Sequence, residues 1–303
     1  MRRSFTLLAC IGGLLGGLSL VTPPAVAADN PPPIDTAAEL QAAMDDVNST
    51  LRRGPQDIDV AGQARLNLPN HYAFVPEPAA KRLLTAYGNR PGNDLVGMIV
   101  PVNGEDWLMT LRYVASGYIR DDDARDWQAE ELLRDMRDGT ESSNAERRRR
   151  NLPEIEVIGW VEAPQYDPES HRVVWSAASR PKGQTGSDAS INYNTLLLGR
   201  EGHVSMNLVT RLKDLEARKP VARQLLAALE FKEGKRYVDF NEKTDQVAEY
   251  GLAALIAGVA AKKLGFFAMA AMFLAKFGKL AAVAAFAAAA AVVKLWRRKS
   301  APR

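Results

Sequence analysis

Residues 155–178 read IEVIGWVEAPQYDPESHRVVWSAA, and residues 191–209 read INYNTLLLGREGHVSMNLV. Each is an apolar run, a polar turn and a second apolar run. In the first, 155–163 and 171–178 flank the turn sequence Tyr166-Asp167-Pro168-Glu169-Ser170. In the second, 191–198 and 203–209 flank Gly199-Arg200-Glu201-Gly202. Side chains alternate faces along a strand, so His171, Val173, Trp175 and Ala177 share one face. Asp167-Pro168 sets the first turn, and Gly199 and Gly202 set the second. Both segments predict antiparallel hairpins.

A third hairpin is predicted upstream, with strands over 95–100 and 107–114 around the turn dipeptide Asn103-Gly104. Further upstream, 64–75 reads as strand and turn, with Leu66 and Leu68 on one face and a break at Pro69-Asn70. Between the hairpins the apolar spacing becomes helical. Thr36-Ala37-Ala38-Glu39 has the form of a capping box, and Leu40, Met44, Val47 and Leu51 make one stripe ending at Gly54-Pro55. A short helix over 78–87 is closed by Gly88-Asn89. A helix over 124–138 has Trp127, Leu132, Leu133 and Met136 as its core face and Gly139 as its stop. Pro220 opens a helix burying Leu225, Leu226 and Leu229, and 237–240 reads as a last short strand. Hairpins with few β-α-β spacings define an α+β domain on an antiparallel sheet with flanking helices.

The chain has 303 residues, 47% hydrophobic and 25% charged, with a net charge of +3. That composition excludes a disordered chain and a polytopic membrane protein. The charge is unevenly placed. Residues 28–245 hold 35 acidic against 28 basic residues, a net of −7, while 11 basic residues sit at the two ends. A nucleic-acid partner is not expected of an acidic body.

Residues 1–27 read as a secretory signal peptide. Arg2 and Arg3 precede an apolar run, and Ala25-Val26-Ala27 is an A-x-A cleavage site. Cys10, the sole cysteine, falls inside this segment. Its lipobox-like setting leaves too short an apolar stretch for a lipoprotein signal. Cleavage would leave a mature chain without thiolate chemistry or disulfides. At the other end, 277–296 is a 20-residue apolar segment with Lys279 and Lys294 near its ends, closed by Trp296 and followed by Arg297, Arg298 and Lys299. That is the length of a transmembrane helix, and basic residues beyond a span stay cytoplasmic. A two-span hairpin would bury Lys262 and Lys263 and is disfavoured.

The expected organisation is a signal peptide (1–27), a linker and short amphipathic helix (28–63), an extracytoplasmic α+β domain (64–245), a juxtamembrane and transmembrane helical region (246–296) and a basic cytoplasmic tail (297–303). Gly251, Ala254, Gly258, Ala261 and Gly265 are spaced by three and four, which on a helix makes one stripe of small side chains, a candidate face for self-association or for packing on the domain.

No phosphate-binding loop, dinucleotide fingerprint, nucleophile elbow or H-E-x-x-H sequence is present. His71, His171 and His203 are far apart, without metal-ligand spacing. Asp121-Asp122-Asp123 fails the calcium-loop pattern at Arg125 and reads as the cap of a following helix. Arg147 to Arg150 read as a solvated loop or helix end. A hydrolase can be assembled on paper from Ser170 or Ser205 with Asp167 and His171, but Ser170 and His171 are sequence neighbours and would point to opposite faces of a strand. No catalytic, cofactor-binding or metal residue is assigned.

Several of these stretches resemble a bacterial family. They are Leu66-Asn67-Leu68-Pro69, Gly88-Asn89, LVGMIVP (95–101), GYIRDDDA (117–124), Gly159-Trp160, and Tyr166-Asp167 with His171 and Trp175. Further along come Asn192-Tyr193-Asn194-Thr195 with Leu198-Gly199-Arg200, YVDF (237–240), and Thr244-Asp245 leading to Tyr250-Gly251-Leu252. Together they are similar to domain-of-unknown-function family 2167, bacterial predicted membrane-anchored proteins. The resemblance implies export and anchoring and implies no activity. The expectation is therefore a single-pass inner-membrane protein with a periplasmic domain, acting by binding or assembly. Its partners would be the bilayer and a second copy or another envelope protein. The rivals are an envelope hydrolase centred on Asp167 and His171, and a purely structural envelope protein.

Overall fold

The structure is a computed structural model that describes residues 36–125, 127–185 and 189–258. All lie in the unit Met1–Val259. A second unit, Ala260–Arg303, falls outside the described residues, and the predicted span 277–296 falls with it. Among the described residues no helix is long and apolar enough to cross a membrane.

Eleven strands and five α-helices are described. The strands are β1 (Arg52–Arg53), β2 (Gln56–Val60), β3 (Ala64–Leu68), β4 (Tyr72–Pro76), β5 (Leu95–Pro101), β6 (Leu108–Val114), β7 (Ile155–Asp167), β8 (Arg172–Pro181), β9 (Ser190–Leu198), β10 (His203–Arg211) and β11 (Leu229–Phe231). The helices are α1 (Thr36–Thr50), α2 (Glu77–Ala86), α3 (Ala129–Arg149), α4 (Leu215–Ala227) and α5 (Leu252–Ala257). Eight strands form one sheet in the order β1-β4-β5-β6-β10-β9-β8-β7, and three form a second, β11-β3-β2. Every strand pairing within them is antiparallel. The three predicted hairpins are β5-β6, β7-β8 and β9-β10, and the α+β class stands.

The two faces of the large sheet are covered differently. One carries the small sheet and α4 over a continuous core that includes Leu66, Tyr72, Ile99, Leu111, Tyr193, Met206 and Leu225. The opposite face carries two separate apolar clusters. One joins α1 and α2 to Val75, Met98 and Leu108. The other joins α3 and α5 to Val173, Trp175 and Leu196. Helix α1 follows the predicted stripe, with Ala43 and Val47 buried and Leu40, Met44 and Leu51 packed beside them. The Glu39 carboxylate is spent on Arg82 of α2, at 2.9 Å.

Several local expectations are corrected. Residues 64–75 are two strands in different sheets, because the break at Pro69-Asn70 redirects the chain. The stretch expected as linker and helix up to residue 63 also contains β1 and β2, with Ile58 and Val60 buried in the core. Pro220 does not open α4 but sits inside it. Proline forfeits one helical hydrogen bond there, yet the earlier start buries Leu215. Leu229 belongs to β11, and the expected strand 237–240 is a 3-10 turn, Tyr237–Asp239.

Helix α3 begins five residues later than expected and runs ten residues beyond Gly139. Its buried face continues from Met136 past the glycine to Thr140 and Asn144, at helical spacing. Glu130 and Glu131 lie in its first turn and Arg147, Arg148 and Arg149 in its last, signs that suit the helix dipole. The arginine run is thus a helix end. Gly139 has open space where a Cβ would stand. Gly139→Ala should therefore stabilise the fold by about 1 kcal/mol, the ordinary glycine penalty in a helix. A urea midpoint unchanged from wild type would show that α3 is not continuous there.

Candidate functional site

The β7-β8 turn places the residues named for a hydrolase. Asp167 organises the turn itself. Its Oδ1 accepts from the Glu169 backbone N–H at 3.0 Å, and its other oxygen accepts a short hydrogen bond from Ser170 Oγ. These bonds hold the Asp167 carboxyl below the usual carboxylate range. Ser170 is thus bonded to the aspartate and not to the histidine, so the paper triad does not assemble. Ser205, the alternative nucleophile, is buried on β10, where it pairs with Leu196 and Arg112.

His171 has a different partner. The turn leaves it at a positive φ of 53°, with Nδ1 3.1 Å from the Tyr166 hydroxyl. Tyr166 in turn donates to Asp121 Oδ2 at 2.6 Å. A phenol has one proton, and here it is committed to the carboxylate. The phenol oxygen then accepts from His171 Nδ1–H, which leaves Nε2 carrying the imidazole lone pair. Burial and the Asp121 carboxylate push the Tyr166 hydroxyl far above an ordinary phenol. Burial lowers the His171 pKa, against the opposing pull of Asp121 and Asp167. The neutral imidazole is thus the form this site favours.

Further rings continue from this chain, tilted at His171 and stacked beyond it. His171 lies 4.2 Å from Tyr237, Tyr237 lies 4.3 Å from Tyr118, and Tyr118 lies 3.8 Å from Phe240, centroid to centroid. The Tyr237 hydroxyl donates to the Ile119 carbonyl at 2.8 Å. Tyr237 is buried and the other three rings are half-buried. Val238, between Tyr237 and Asp239, is 70% exposed.

The backbone beneath the rings is tied together from distant segments. Tyr118 N–H donates to Gln246 C=O, and Ala248 N–H donates to Tyr118 C=O, both at 2.8 Å. Gly117 has φ +83°, and a Cβ there would meet the Gln246 carbonyl oxygen at 2.6 Å, so this approach requires glycine. Arg200 grips Asp245 through Nε and Nη2 at 2.7 and 2.8 Å, which holds that carboxyl far below its ordinary range. GYIRDDDA, the Tyr166–His171 turn, LGR, YVDF and the stretch from Thr244 to Leu252 thus converge.

The aspartate triplet divides its work. Asp121 binds Tyr166. Asp122 opens a 3-10 turn, Asp122–Arg125. Asp123 accepts the Leu252 and Ala253 N–H groups at 3.1 and 2.9 Å. It therefore caps α5, which is distant in sequence, and not the helix that follows it. Helix α3 starts from Gln128 without a side-chain cap, because the 3-10 turn carries the triplet away from it. Among the described residues no group of three or more His, Cys, Asp or Glu side chains is placed to hold a metal ion.

Of the small-residue stripe, Gly251 is the N-cap of α5 and Gly258, at φ 69°, its C-cap, with Ala254 between them. A Cβ on Gly251 would lie 2.4 Å from Asp123 Oδ2, so Gly251 packs on its own domain. The left-handed residue at Gly258 ends the helix there. Ala261 and Gly265 lie outside the described residues. Sequence reasoning found His171 but paired it with the wrong carboxylate. It missed Asp121, Tyr166, Tyr118 and Phe240 as a group, although each lies in a stretch that carried the family resemblance.

The chain belongs to the family described as "Protein of unknown function (DUF2167)", whose model matches residues 52–287. No curated protein matches the sequence. Among solved structures, the fold is similar to cyanobacterial PsbP (CyanoP) from Synechocystis sp. PCC 6803, with 12% identity and a TM-score of 0.36, over 60% of this chain and 93% of that one. It is also similar to the Saccharomyces cerevisiae Ran-binding protein Mog1p, with 9% identity and a TM-score of 0.32, over 59% of this chain and 96% of that one. Likeness at this level passes no function to this chain.

Proposed function

We propose that this chain is a binding or assembly module of the bacterial cell envelope. Its folded domain lies on the periplasmic side of the inner membrane, its segment 277–296 spans the bilayer, and an envelope protein docks on the ring cluster. The observation that carries the docking site is Val238, 70% exposed and next in sequence to Tyr237, whose ring stacks on Tyr118, which stacks on Phe240, and meets His171 at a tilt. Rigid aromatic side chains around an exposed apolar anchor are the composition of an interface hot spot. The A-x-A sequence at residues 25–27 and the basic tail support the placement. The hydrolase reading has less support, because Ser170 gives its hydrogen bond to Asp167 and not to His171.

A membrane-impermeant cross-linker applied to cells with a permeabilised outer membrane tests location and site together. Wild type should yield one discrete adduct with an envelope protein, and Val238→Asp should lose most of it at unchanged expression. No adduct, or an adduct that survives Val238→Asp, would overturn the proposal.

A further inference from the structure

The C-terminal end of α3 gathers positive charge on a body that is acidic as a whole. Arg147, Arg148 and Arg149 form its last turn and Arg150 is its C-cap. Two loops bring further cations, Arg90 from between α2 and β5 and Lys182 from just past β8. Three carboxylates answer them, and two of these are shared. Glu146 meets Arg90 at 2.9 Å and Arg149 at 2.8 Å. Arg149 first, with Arg90 and Arg150 adding, holds the Glu146 carboxyl below the usual carboxylate range. Glu154 meets Arg148 at 2.8 Å and Lys182 at 3.7 Å, and Glu141 meets Lys182 at 2.8 Å. The neighbouring pair of Arg180 and Glu156 adds no net charge. Six cations thus stand against three carboxylates. Residues 28–245 sum to −7, so this excess is local.

The charge is open to solvent. Side-chain exposure is 73% for Arg149, 53% for Arg90, 52% for Arg148 and 45% for Lys182. The helix dipole favours cations here, but it acts only within the last turn. It gives no reason for Arg90 and Lys182, which arrive from other loops. Guanidinium groups bind phosphate oxygens through paired N–H donors. Spread over a helix end and two loops, these groups fit a surface of many phosphodiesters better than one enclosed anion.

The proposed spanning segment 277–296 would tether the domain to such a surface. α5, the last described helix, packs Leu252, Ile256 and Ala257 against Leu132, Leu133 and Met136 of α3. The chain thus leaves the described residues from a helix seated on the one that bears the patch. A tether raises the effective concentration of the bilayer at the patch, so individually weak headgroup contacts suffice. We propose, resting on that membrane-anchored reading, that the basic end of α3 docks on the anionic phospholipid headgroups of the bilayer that anchors the chain.

The full-length chain is reconstituted into vesicles of phosphatidylcholine, alone or with about a third phosphatidylglycerol, that carry a headgroup-attached quencher. On a Cys10→Ser background, Ser143→Cys places a fluorophore about one turn before the patch. Asp57→Cys places one on the small sheet, across the large sheet from α3. Quenching at position 143 should be about threefold greater with phosphatidylglycerol, and about 0.5 M salt should remove the difference by screening. Arg148→Glu with Arg149→Glu should abolish it. Arg149→Glu alone serves if the double variant does not fold, and should weaken it. Position 57 should not respond. Val238→Asp should leave the quenching unchanged, so failure of the ring-cluster site is read separately. Carbonate extraction of the same vesicles reports the anchor: a chain released there refutes the span, and the quenching still decides the patch. The proposal is overturned by quenching at 143 that ignores phosphatidylglycerol, by equal quenching at 57, or by charge variants that behave as wild type. Cross-linking through position 143 to a second copy, without lipid-dependent quenching, would assign the patch to an acidic protein face and overturn it as well.

Discussion

Lowering the pH from 7 to 4 should cost the fold about 3 kcal/mol through His203 alone. His203 is 2% exposed on β10, beside Leu198 and Val114, and its Nδ1 has no partner. Burial pushes its pKa down from 6.5 to about 4, while the charge of Asp94 pulls weakly the other way. The sign follows from which state holds the proton. Below pH 6.5 the unfolded chain protonates this histidine, while the folded chain leaves it neutral until about pH 4. The contribution is therefore whole above pH 6.5 and is lost progressively as the pH falls to 4. Carboxylates titrate in the same window, so the measurement is a difference. Urea midpoints of wild type and His203→Leu are compared at several values from pH 7.5 to 4. The wild type should lose stability more steeply. Two parallel curves would mean that His203 is protonated, or hydrated, in the native state.

The hairpins were legible because both of their signals are local. Strand alternation and turn chemistry need only neighbouring residues, so β5-β6, β7-β8 and β9-β10 can be read directly. What escaped depended on partners distant in sequence. Residues 56–60 carry Gln, Asp and Asp among only two apolar side chains and read as linker, yet pairing with β3 makes them a strand. Gly139 and Pro220 are local stop and start signals, and at both the burial of side chains beyond the signal outweighed its cost. Tyr237–Asp239 has a strand-like composition, but the Tyr237 hydroxyl bonds to Ile119, and Asp239 binds back to the Arg236 N–H at 3.0 Å.

The site was legible in its parts and not in its pairing. His171 and Asp167 stand close in sequence, which made them look like partners. Asp167 instead closes its own turn, and His171 reaches an aspartate 50 positions upstream through Tyr166. Asp121-Asp122-Asp123 shows the same limit. Capping was the right chemistry for Asp123, but the helix it caps begins at Leu252. Local sequence names a carboxylate's talent for capping and leaves open which helix it finds.

The half of α3 that the sequence reading left out also protects the sheet, and this is where a single substitution should do the most damage. β7 is an edge strand of the eight-stranded sheet, and an edge offers unpaired backbone groups. α3 covers it. Arg137 donates to the Val157 and Ile158 carbonyls, and Trp160 of β7 donates to Ala129 C=O. Asn144, fully buried, acts as a neighbouring strand would. Its Oδ1 accepts the Ile155 N–H at 2.9 Å, and its Nδ2 donates to the Ile155 C=O at 2.8 Å. The Glu154 carbonyl accepts from Lys182 N–H on the β8 side, so Ile155, the next residue and opposite Pro181, turns both of its backbone groups to the open side of β7. Asn144→Leu leaves both backbone groups of Ile155 buried and unpaired, at about 1–3 kcal/mol each, so a loss of about 3–4 kcal/mol is expected in urea denaturation. Asn144→Asp separates this from simple repacking. Its carboxylate still accepts the N–H but faces the carbonyl with an anion, and only the protonated acid restores the donor. Asn144→Asp should therefore regain stability relative to wild type as the pH falls through the carboxylate range, whereas Asn144→Leu should not. If Asn144→Leu costs less than about 1 kcal/mol, Ile155 has another partner and α3 does not guard this edge.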